Sequence, residues 1–456
     1  MNGRALAFEV LRRVEEGGAY ASRALDAALA RSVALDPREV GLATELVYGS
    51  LRRALALDLA LARHAHRPLA EIDPAARVAL RLGAYELLVL GRPPHAAVSE
   101  AVALAKSVQH GRAAGFVNAV LRSLARDPQP APAPPFEADP AGHLAAAEAL
   151  PRWLAEEWVA WFGPEEALLL ARAMNAPAPL TLRSTTRDAL VQRLAAHGIV
   201  AQACARSKAG LEVRGASVAA VGRAADGLPF CVQDEGSQLV VLFAAGHLRG
   251  ESARVLDACA APGGKAFHLS DLLGPGGEVV AVEIHPGKAE RLREEAARRG
   301  LSERLRVVCA DATKSIPSLS PQSFDAVLVD APCTGLGTLR RHPELKLRRT
   351  AADPGRMAVT QRALLDACAR LARPGAPVTY SVCSLSRAEG PLVTSAALER
   401  GLVRAKAPED FPRDALTSEG ELLTLPSRHG CDGFYAARFF AGSRPPRSVA
   451  NSAPPS

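Results

Sequence analysis

From about residue 253 onward, short apolar segments alternate with amphipathic ones, and this alternation limits the fold more than any other feature. The apolar segments are rich in valine and lie at 254–258, 278–284, 305–309, 325–330 and 377–382. Continuous rather than alternating apolarity indicates strands covered on both faces, which is typical of a parallel sheet between helices. Helical patterns at 265–273, 286–299 and 357–371 separate these strands. The sequence therefore predicts an α/β, doubly wound, Rossmann-like sheet, finished by an antiparallel edge at 422–425 and 434–440.

The region before this sheet is predicted to be helical and basic. Apolar residues recur at helical spacing over 5–14, 22–32, 38–62, 75–90, 98–109 and 114–125. Residues 1–126 hold 17 basic and 12 acidic residues, a net charge of +5. We therefore expect an all-helical domain at 1–126 that faces an anionic partner such as RNA.

The rest of the chain divides by composition. Six prolines in residues 127–140 predict a stiff linker. We expect a small α+β subdomain over 141–240 and a catalytic domain over 241–442. The Arg/Pro/Ser-rich tail, 443–456, is predicted to be disordered.

Composition narrows the class of partner. The chain has a net charge of +7 and a pI of 9.1, which favours nucleic acid. No apolar run approaches the length of a membrane span, and the charged N-terminus lacks a signal core, so we expect a cytoplasmic protein without membrane contact. The eight cysteines form no C-x-x-C pair, and we expect no metal. A monomer is the expected state.

The first strand of the sheet leads into a cofactor-type turn. VLDACAAPGGKAFHLSDLL, at 255–273, combines a strand, a Pro-Gly-Gly turn and a helix, which is where a doubly wound sheet binds its cofactor. A nucleotide P-loop is excluded because Cys259 and Ala266 occupy its required glycine and hydroxyl positions. The dinucleotide fingerprint G-x-G-x-x-G is also absent.

Acidic residues end four successive strands of the predicted sheet. They are Asp257, Glu283, Asp311 and Asp330. An acid at the second strand can accept both ribose hydroxyls, and one after the third strand can face an adenine amino group. This pattern predicts a nucleoside cofactor without pyrophosphate, and S-adenosylmethionine fits it.

Two cysteines stand just beyond central strands. Cys333 follows the fourth strand and Cys383 the fifth, on the cofactor side of the sheet, where this fold places its chemistry. We expect Cys204, Cys309 and Cys368 to be buried packing residues instead.

At these residues the chain resembles the RNA cytosine-5 methyltransferases. The resemblance rests on DACAAPGGK (257–265), DAPC (330–333) and the Cys-Ser pair at 383–384. VQDEGSQ (232–238), NAPAPLTLR (175–183) and CDGFYAARF (431–439) resemble further segments of that family. ELVYGSLRR (45–53) and GFVNAVLRSL (115–124) resemble the domain related to the antitermination factor NusB. This combination over residues 4–440 is similar to the branch that modifies 16S ribosomal RNA.

The resemblance implies roles for individual residues. Cys383 would be the nucleophile that adds to carbon 6 of cytosine, and Cys333 would assist the later release. Asp330 would hold the base, and Lys265 would orient the catalytic loop or the cofactor. The implied contacts of S-adenosylmethionine are Cys259, Ala260, Ala261, Pro262, Gly263, Gly264, Lys265, Glu283, Asp311 and Asp330.

The chain departs from the family pattern in two places. Glu283 replaces the more common aspartate, and Arg387-Ala388-Glu389-Gly390 replaces Pro-Glu-Glu-Asn after the nucleophile. Arg340, Arg341 and Lys346 are the side chains expected to supply positive charge near the thiols.

Other functions remain open at this point. A transfer-RNA cytosine-5 methyltransferase is the nearest alternative, and the NusB-like segment favours ribosomal RNA over it. A non-catalytic RNA-binding or antitermination factor would not need both Cys333 and Cys383. A Rossmann oxidoreductase is disfavoured because the dinucleotide fingerprint is missing.

Overall fold

A computed structural model describes residues 2–32, 35–108, 113–130 and 132–440. The chain forms two compact units. The first comprises Met1–Pro177 and Thr338–Ala351, and the second comprises Ala178–Gly337 and Ala352–Ser456. The predicted disordered tail, 443–456, lies outside the described residues.

The first unit is helical. Its helices are α1 (Gly3–Gly17), α2 (Ala21–Arg31), α3 (Pro37–Ala62), α4 (Pro74–Leu88), α5 (Pro94–Lys106), α6 (Ala114–Arg126), α7 (Pro140–Ala147), α8 (Arg152–Phe162) and α9 (Pro164–Asn175). The Asp36 and Asp73 side chains cap α3 and α4, each before a proline, as expected at helix starts. Leu46, Leu80 and Leu121 belong to a single buried core. All six helices predicted in 1–126 are present, and the compact helical unit continues through α9.

A second stretch of chain completes the helical unit. Helix α15 (Leu345–Arg348) lies in this stretch. The buried Lys346 Nζ donates to the carbonyl oxygens of Arg52 (2.8 Å) and Ala149 (3.2 Å) and to Asn175 Oδ1 (2.7 Å). The backbone N–H of Ala21 donates to the Glu344 carboxylate (3.1 Å). Residues 338–351 were expected in the catalytic domain, and contacts with partners some 170 to 320 residues away in sequence attach them to the helices instead.

The second unit begins with a small α+β module. Its four antiparallel strands have the order β2-β3-β1-β4. The module consists of β1 (Leu180–Arg183), α10 (Arg187–Ala196), β2 (Val200–Ala203), β3 (Gly210–Arg214), α11 (Val218–Ala225) and β4 (Cys231–Val232).

The larger sheet has the strand order β10-β12-β9-β8-β5-β6-β7. Its elements are α12 (Glu235–Ala245), β5 (Arg254–Asp257), α13 (Gly264–Leu272), β6 (Glu278–Glu283), α14 (Pro286–Arg298), β7 (Leu305–Cys309), β8 (Ala326–Asp330), α16 (Asp353–Ala369), β9 (Pro377–Val382), α17 (Pro391–Glu399), β10 (Val403–Arg404), β11 (Leu422–Thr424), α18 (Pro426–His429) and β12 (Phe434–Phe440). Strands β5 to β9 are parallel, so the predicted doubly wound sheet is confirmed.

Two details of this unit differ from expectation. Strand β12 is antiparallel to β9 but is not an edge, because the short strands β10 and β11 also pair with it. Cys309 is exposed at the end of β7 rather than buried, whereas Cys368 is buried as predicted and Cys204 is half-buried. Among the described residues, no helix is both long and apolar enough to cross a membrane.

Candidate active site

The residues singled out in the sequence meet at the carboxyl edge of the parallel strands. Asp257, Glu283 and Asp330 are the last residues of β5, β6 and β8. Cys383 directly follows β9, the neighbour of β8. Because parallel strands all end at one edge, these side chains share one cleft, as expected for this fold.

The two cysteines are adjacent. Cys333 Sγ and Cys383 Sγ are 3.2 Å apart, and both residues are free thiols and half-buried. The hydrogen bond to Cys383, reinforced by burial, raises the pKa of the Cys333 thiol well above its usual value. Cys333 therefore holds its proton more firmly than an ordinary thiol does.

A fixed cation lies beside this pair. Lys265 Nζ donates to Asp330 Oδ2 (2.7 Å) and lies 5.1 Å from the centre of the Phe434 ring. Burial acts to lower the pKa of Lys265, but the Asp330 charge and hydrogen bond outweigh it, with a further contribution from Cys383, so the pKa is raised. Lys265 is therefore a protonated ammonium that interacts electrostatically with Cys383. Ser381 Oγ donates to the other oxygen of Asp330 (2.6 Å), which fixes that carboxylate.

One of the three positive charges expected near the thiols, that of Lys346, has other partners. Arg340, Arg341 and Lys346 all belong to residues 338–351 of the helical unit. The Lys346 ammonium group donates hydrogen bonds to three oxygen atoms of that unit, as described above. Its predicted role near the thiols is wrong, and Lys265 is the cation that meets Cys383.

One buried carboxylate joins the two cysteine loops, and the sequence analysis did not identify it as a site residue. Glu389 is fully buried and accepts hydrogen bonds from the Thr334 backbone N–H (2.8 Å) and the Thr334 hydroxyl. It also accepts from Ser384 Oγ (2.5 Å) and Gln361 Nε2 (3.0 Å). Since Thr334 follows Cys333 and Ser384 follows Cys383, Glu389 connects both loops. The sequence did contain one sign of its importance. In the segment 387–390, which departs from the family pattern Pro-Glu-Glu-Asn, Glu389 is the one residue that still matches that pattern.

The cofactor loop depends on two glycines in different ways. Gly263 has φ +115°, and a Cβ there would lie 2.6 Å from Leu292 and Phe267 atoms, so only glycine fits. A Cβ on Gly264 would meet nothing within 4 Å. Helix α13 starts at Gly264, and its first-turn N–H groups have no partner within the helix. The loop therefore leaves open space in front of a helix N-terminus.

The acids around this space keep acceptor capacity. Glu283 Oε1 accepts one bond, from the His285 N–H (2.9 Å). Asp311 Oδ1 accepts from the N–H (3.0 Å) and hydroxyl (2.7 Å) of Thr313, which lowers the Asp311 pKa. Because a carboxylate has about four acceptor positions, both acids can still receive hydroxyl or amino donors.

Asp257 differs from these two acids. It is 1% exposed, and burial, strengthened by the Asp330 charge, raises its pKa to about 7. Only Lys265 and the Cys259 backbone N–H act in the opposite direction. Carboxylates together with an open helix N-terminus suit a nucleoside that also carries an amino acid group, so the donor and acceptor set fits S-adenosylmethionine.

Comparison with known families gives three matches along the chain. The family described as 16S rRNA methyltransferase RsmB/F matches residues 248–440. The NusB family matches residues 1–126, and the ferredoxin-like domain of RsmF/B-like methyltransferases matches residues 150–219.

Relatives match over nearly the full length. The chain is 34% identical to the probable ribosomal RNA small subunit methyltransferase B of Bacillus subtilis, over 95% of this chain and 97% of that protein. It is 37% identical to ribosomal RNA small subunit methyltransferase B of Thermus thermophilus, over 95% and 96% of the two chains. The protein of the same name from Pseudomonas putida is 33% identical over 96% and 98%.

Solved structures share the fold. PH0851 superimposes with a TM-score of 0.80 at 22% identity, covering 96% of this chain and 99% of that one. NSun6 from Pyrococcus horikoshii, crystallised with SFG, gives a TM-score of 0.54 at 20% identity and covers 64% and 99%.

Proposed function

The chain belongs to the family of 16S rRNA methyltransferases RsmB/F and is an RNA methyltransferase that uses S-adenosylmethionine, and from this premise we propose that it methylates carbon 5 of one cytosine in 16S ribosomal RNA. The reaction proceeds through a covalent bond between Cys383 and carbon 6 of the base. The observation that supports it most is the 3.2 Å separation of Cys333 Sγ and Cys383 Sγ beside a buried ammonium.

A thiol nucleophile answers a specific chemical problem. Carbon 5 of cytosine is a poor nucleophile, and addition of a thiolate to carbon 6 makes carbon 5 enamine-like. S-adenosylmethionine supplies an electrophilic methyl group. Splitting one difficult substitution into addition and elimination is covalent catalysis.

Lys265 and Asp330 prepare this addition. A free cysteine is only a few per cent thiolate at pH 7, so a neighbouring cation makes the reactive form more abundant. Lys265 supplies that charge to Cys383. Asp330 is held by Lys265 and Ser381 and accepts a hydrogen bond from the exocyclic amine. Nitrogen 3 of the adduct takes up the proton that Cys383 gives up when its sulfur adds to carbon 6, and Asp330 accepts that N–H as well. A base that presents a carbonyl instead of the amine is disfavoured, which selects cytosine over uracil.

Cys333 acts in the second half of the reaction. After methyl transfer, carbon 5 loses its proton to a base and the bond from carbon 6 to sulfur breaks. Cys333 retains its proton beside Cys383, so it donates a hydrogen bond to the departing sulfur.

The helical unit supplies affinity for RNA. Its NusB-family segment carries 17 basic against 12 acidic residues. The target base must leave its stack or already be single-stranded to enter the cleft.

Bisulfite sequencing of total RNA tests this proposal. In cells that lack the gene, one protected cytosine of 16S ribosomal RNA should become convertible. The wild-type gene and a Cys309→Ala control should restore protection, and Cys383→Ala should not. Loss of protection in a transfer RNA instead would favour the alternative substrate, and no change in any RNA would contradict carbon-5 methylation.

A further inference from the structure

The second unit contains a large cavity at the opposite edge of the sheet from the cysteines. Its volume is about 1140 Å³, and its wall includes Pro377 and Phe440. These two residues pair where β9 begins, whereas Cys383 follows the end of β9. Since β9 has six residues and a strand rises about 3.3 Å per residue, roughly 20 Å separates the cavity from the nucleophile.

The lining of this cavity is positively charged. Seven arginine and lysine side chains face four carboxylates. Ion pairs account for three of the cations, Arg183 with Asp271, Arg187 with Asp188 and Arg206 with Asp414. For the other four, no carboxylate in the described part of the chain lies within ion-pair distance. These four are Lys208, Arg249, Lys406 and Arg438.

Arg438 is the most unusual of the four. It is 7% exposed and lies on β12, which is internal to the sheet. Its guanidinium donates to the Lys406 carbonyl oxygen (2.7 Å) and to His247 Nδ1 (3.1 Å), and its Nε has no partner among the described residues. A buried charge without a counter-charge is costly, so its retention calls for an anion from outside the chain.

The surroundings of Arg438 are consistent with such an anion. Partial burial of the His247 ring, although the residue as a whole is exposed, and the Arg438 charge lower its pKa to about 4, so His247 is neutral and accepts from the guanidinium. His268 is 4% exposed, and its Nδ1 has no partner within the described chain. The exposed hydroxyl-bearing residue Thr185 lines the same cavity and adds a donor. Guanidinium, ammonium and hydroxyl donors together are the set that binds phosphate.

We propose that this cavity is a phosphate-binding site distinct from the catalytic cleft, and that the backbone of the substrate RNA occupies it. The proposal rests on RNA being the substrate, and it is independent of the cysteine mechanism. An RNA bound both in the cavity and at Cys383 would contact the two edges of the sheet through nucleotides that lie several positions apart along the strand.

Binding by the full chain tests the site without recourse to catalysis. The variant Lys208→Ala/Arg249→Ala/Lys406→Ala removes three exposed cations of the cavity. The matched control Arg223→Ala/Lys288→Ala/Arg291→Ala removes three exposed cations elsewhere in the same unit, and none of them has a carboxylate of the described chain within ion-pair distance. We expect the cavity variant to bind 16S ribosomal RNA about 10-fold or more weakly, with a salt dependence reduced by about 2–3 in log–log slope. The control should change neither.

A second measurement identifies the source of the phosphate. Inorganic phosphate should raise the thermal unfolding midpoint of the wild type and not that of Arg438→Met. Weaker RNA binding by the cavity variant supports the RNA backbone as the occupant, whether or not inorganic phosphate alone stabilises the protein. A response to inorganic phosphate with unchanged RNA binding would assign the site to a free phosphate and overturn the proposal. If RNA affinity, salt slope and the response to phosphate all match those of the control, the proposal is wrong. The exposed triple variant decides the matter if Arg438→Met does not fold. The Cys383→Ala variant separates the two proposals. If it loses methylation but binds RNA as the wild type does, catalysis by Cys383 is affected and binding at the cavity is not.

Discussion

Glu389 illustrates how a single residue determines the geometry of the reacting pair. Its carboxylate accepts bonds from Thr334, Ser384 and Gln361, all of which are fully buried. A carboxylate has only acceptor positions, so four donors can converge on it, whereas an amide would turn donors toward two of them. The spacing of the two cysteines therefore depends on a residue that touches neither sulfur.

Glu389→Gln should accordingly reduce both stability and turnover. We expect a loss of about 2–4 kcal/mol in the free energy of unfolding, because buried donors lose their partners. The turnover number should fall about 10- to 100-fold, since small displacements of reacting groups are costly. Denaturant titration and single-turnover methylation measure the two effects. Glu399→Gln on the exposed face of α17 is the control, and equal behaviour of the two variants would contradict the role of Glu389.

Asp257 predicts a pH dependence of stability. Its pKa is about 7 in the folded chain against 3.8 as a free side chain, mainly because of burial. The stability that it contributes is therefore present below about pH 4 and is lost as the pH rises through 7. Asp257→Asn has no such loss, so its stability relative to the wild type should rise by about 2–3 kcal/mol between pH 5 and pH 8. Denaturant titrations without cofactor measure this difference, and a constant gap between the two proteins would contradict it.

At the scale of elements, the two glycines at the junction of β5 and α13 are expected to have different roles, one in folding and the other in cofactor binding. Gly263 is required by its positive φ and by contacts with Leu292 and Phe267, whereas the space in front of Gly264 is open. Gly264→Val should therefore leave the thermal unfolding of the cofactor-free protein nearly unchanged and abolish binding of S-adenosylmethionine. Gly263→Val should unfold the loop itself. Calorimetry showing undiminished binding by Gly264→Val would contradict the placement of the cofactor.

The strands of the parallel sheet could be predicted almost to the residue. Strand β9 was expected at 377–382 and is Pro377–Val382, and β7 was expected at 305–309 and is Leu305–Cys309. Strands buried on both faces carry a strong and continuous apolar signal. The positions of Cys333 and Cys383 followed from those strand ends.

What could not be predicted depends on contacts distant in sequence. Nothing local marks Lys346 as a residue whose ammonium is bound by oxygens of the helical unit. Nor does local sequence show that four donors converge on Glu389. Thr334 lies in the loop after β8 and Gln361 lies in α16, so both are distant from Glu389 in sequence. Likewise, the strands at 422–425 and 434–440 were expected to finish the sheet as an antiparallel edge, and the pairing of β10 and β11 with β12 makes β12 internal.

At the scale of the whole molecule, positive charge is concentrated in the helical segment. Residues 1–126 account for +5 of the net +7. Helix α6 buries Val117, Leu121 and Leu124 and exposes Arg122 and Arg126, which lie one turn apart. Its exposed face is therefore a suitable place to test for contacts with RNA phosphates.

Arg122→Glu/Arg126→Glu in the full chain should weaken binding of 16S ribosomal RNA at least 10-fold. The slope of log Kd against log salt should decrease by about 1–2, because fewer counterions are released on binding when phosphate contacts are lost. Fluorescence anisotropy over a salt series measures both quantities. Arg291→Glu/Arg298→Glu makes the same change of charge on α14. Identical slopes for the two double variants would mean that α6 does not contact RNA.

The central claim is that two adjacent thiols divide addition and release between them. On this account, attack and methyl transfer should proceed without Cys333 but release should stall, whereas no adduct should form without Cys383. Each variant is incubated with RNA and S-adenosylmethionine and then analysed by denaturing gel electrophoresis. Cys333→Ala should accumulate a protein–RNA species that survives denaturation, and Cys383→Ala and the double variant should form none. If Cys383→Ala traps RNA and Cys333→Ala does not, the two roles are reversed, and if both variants methylate RNA normally, the covalent mechanism is wrong.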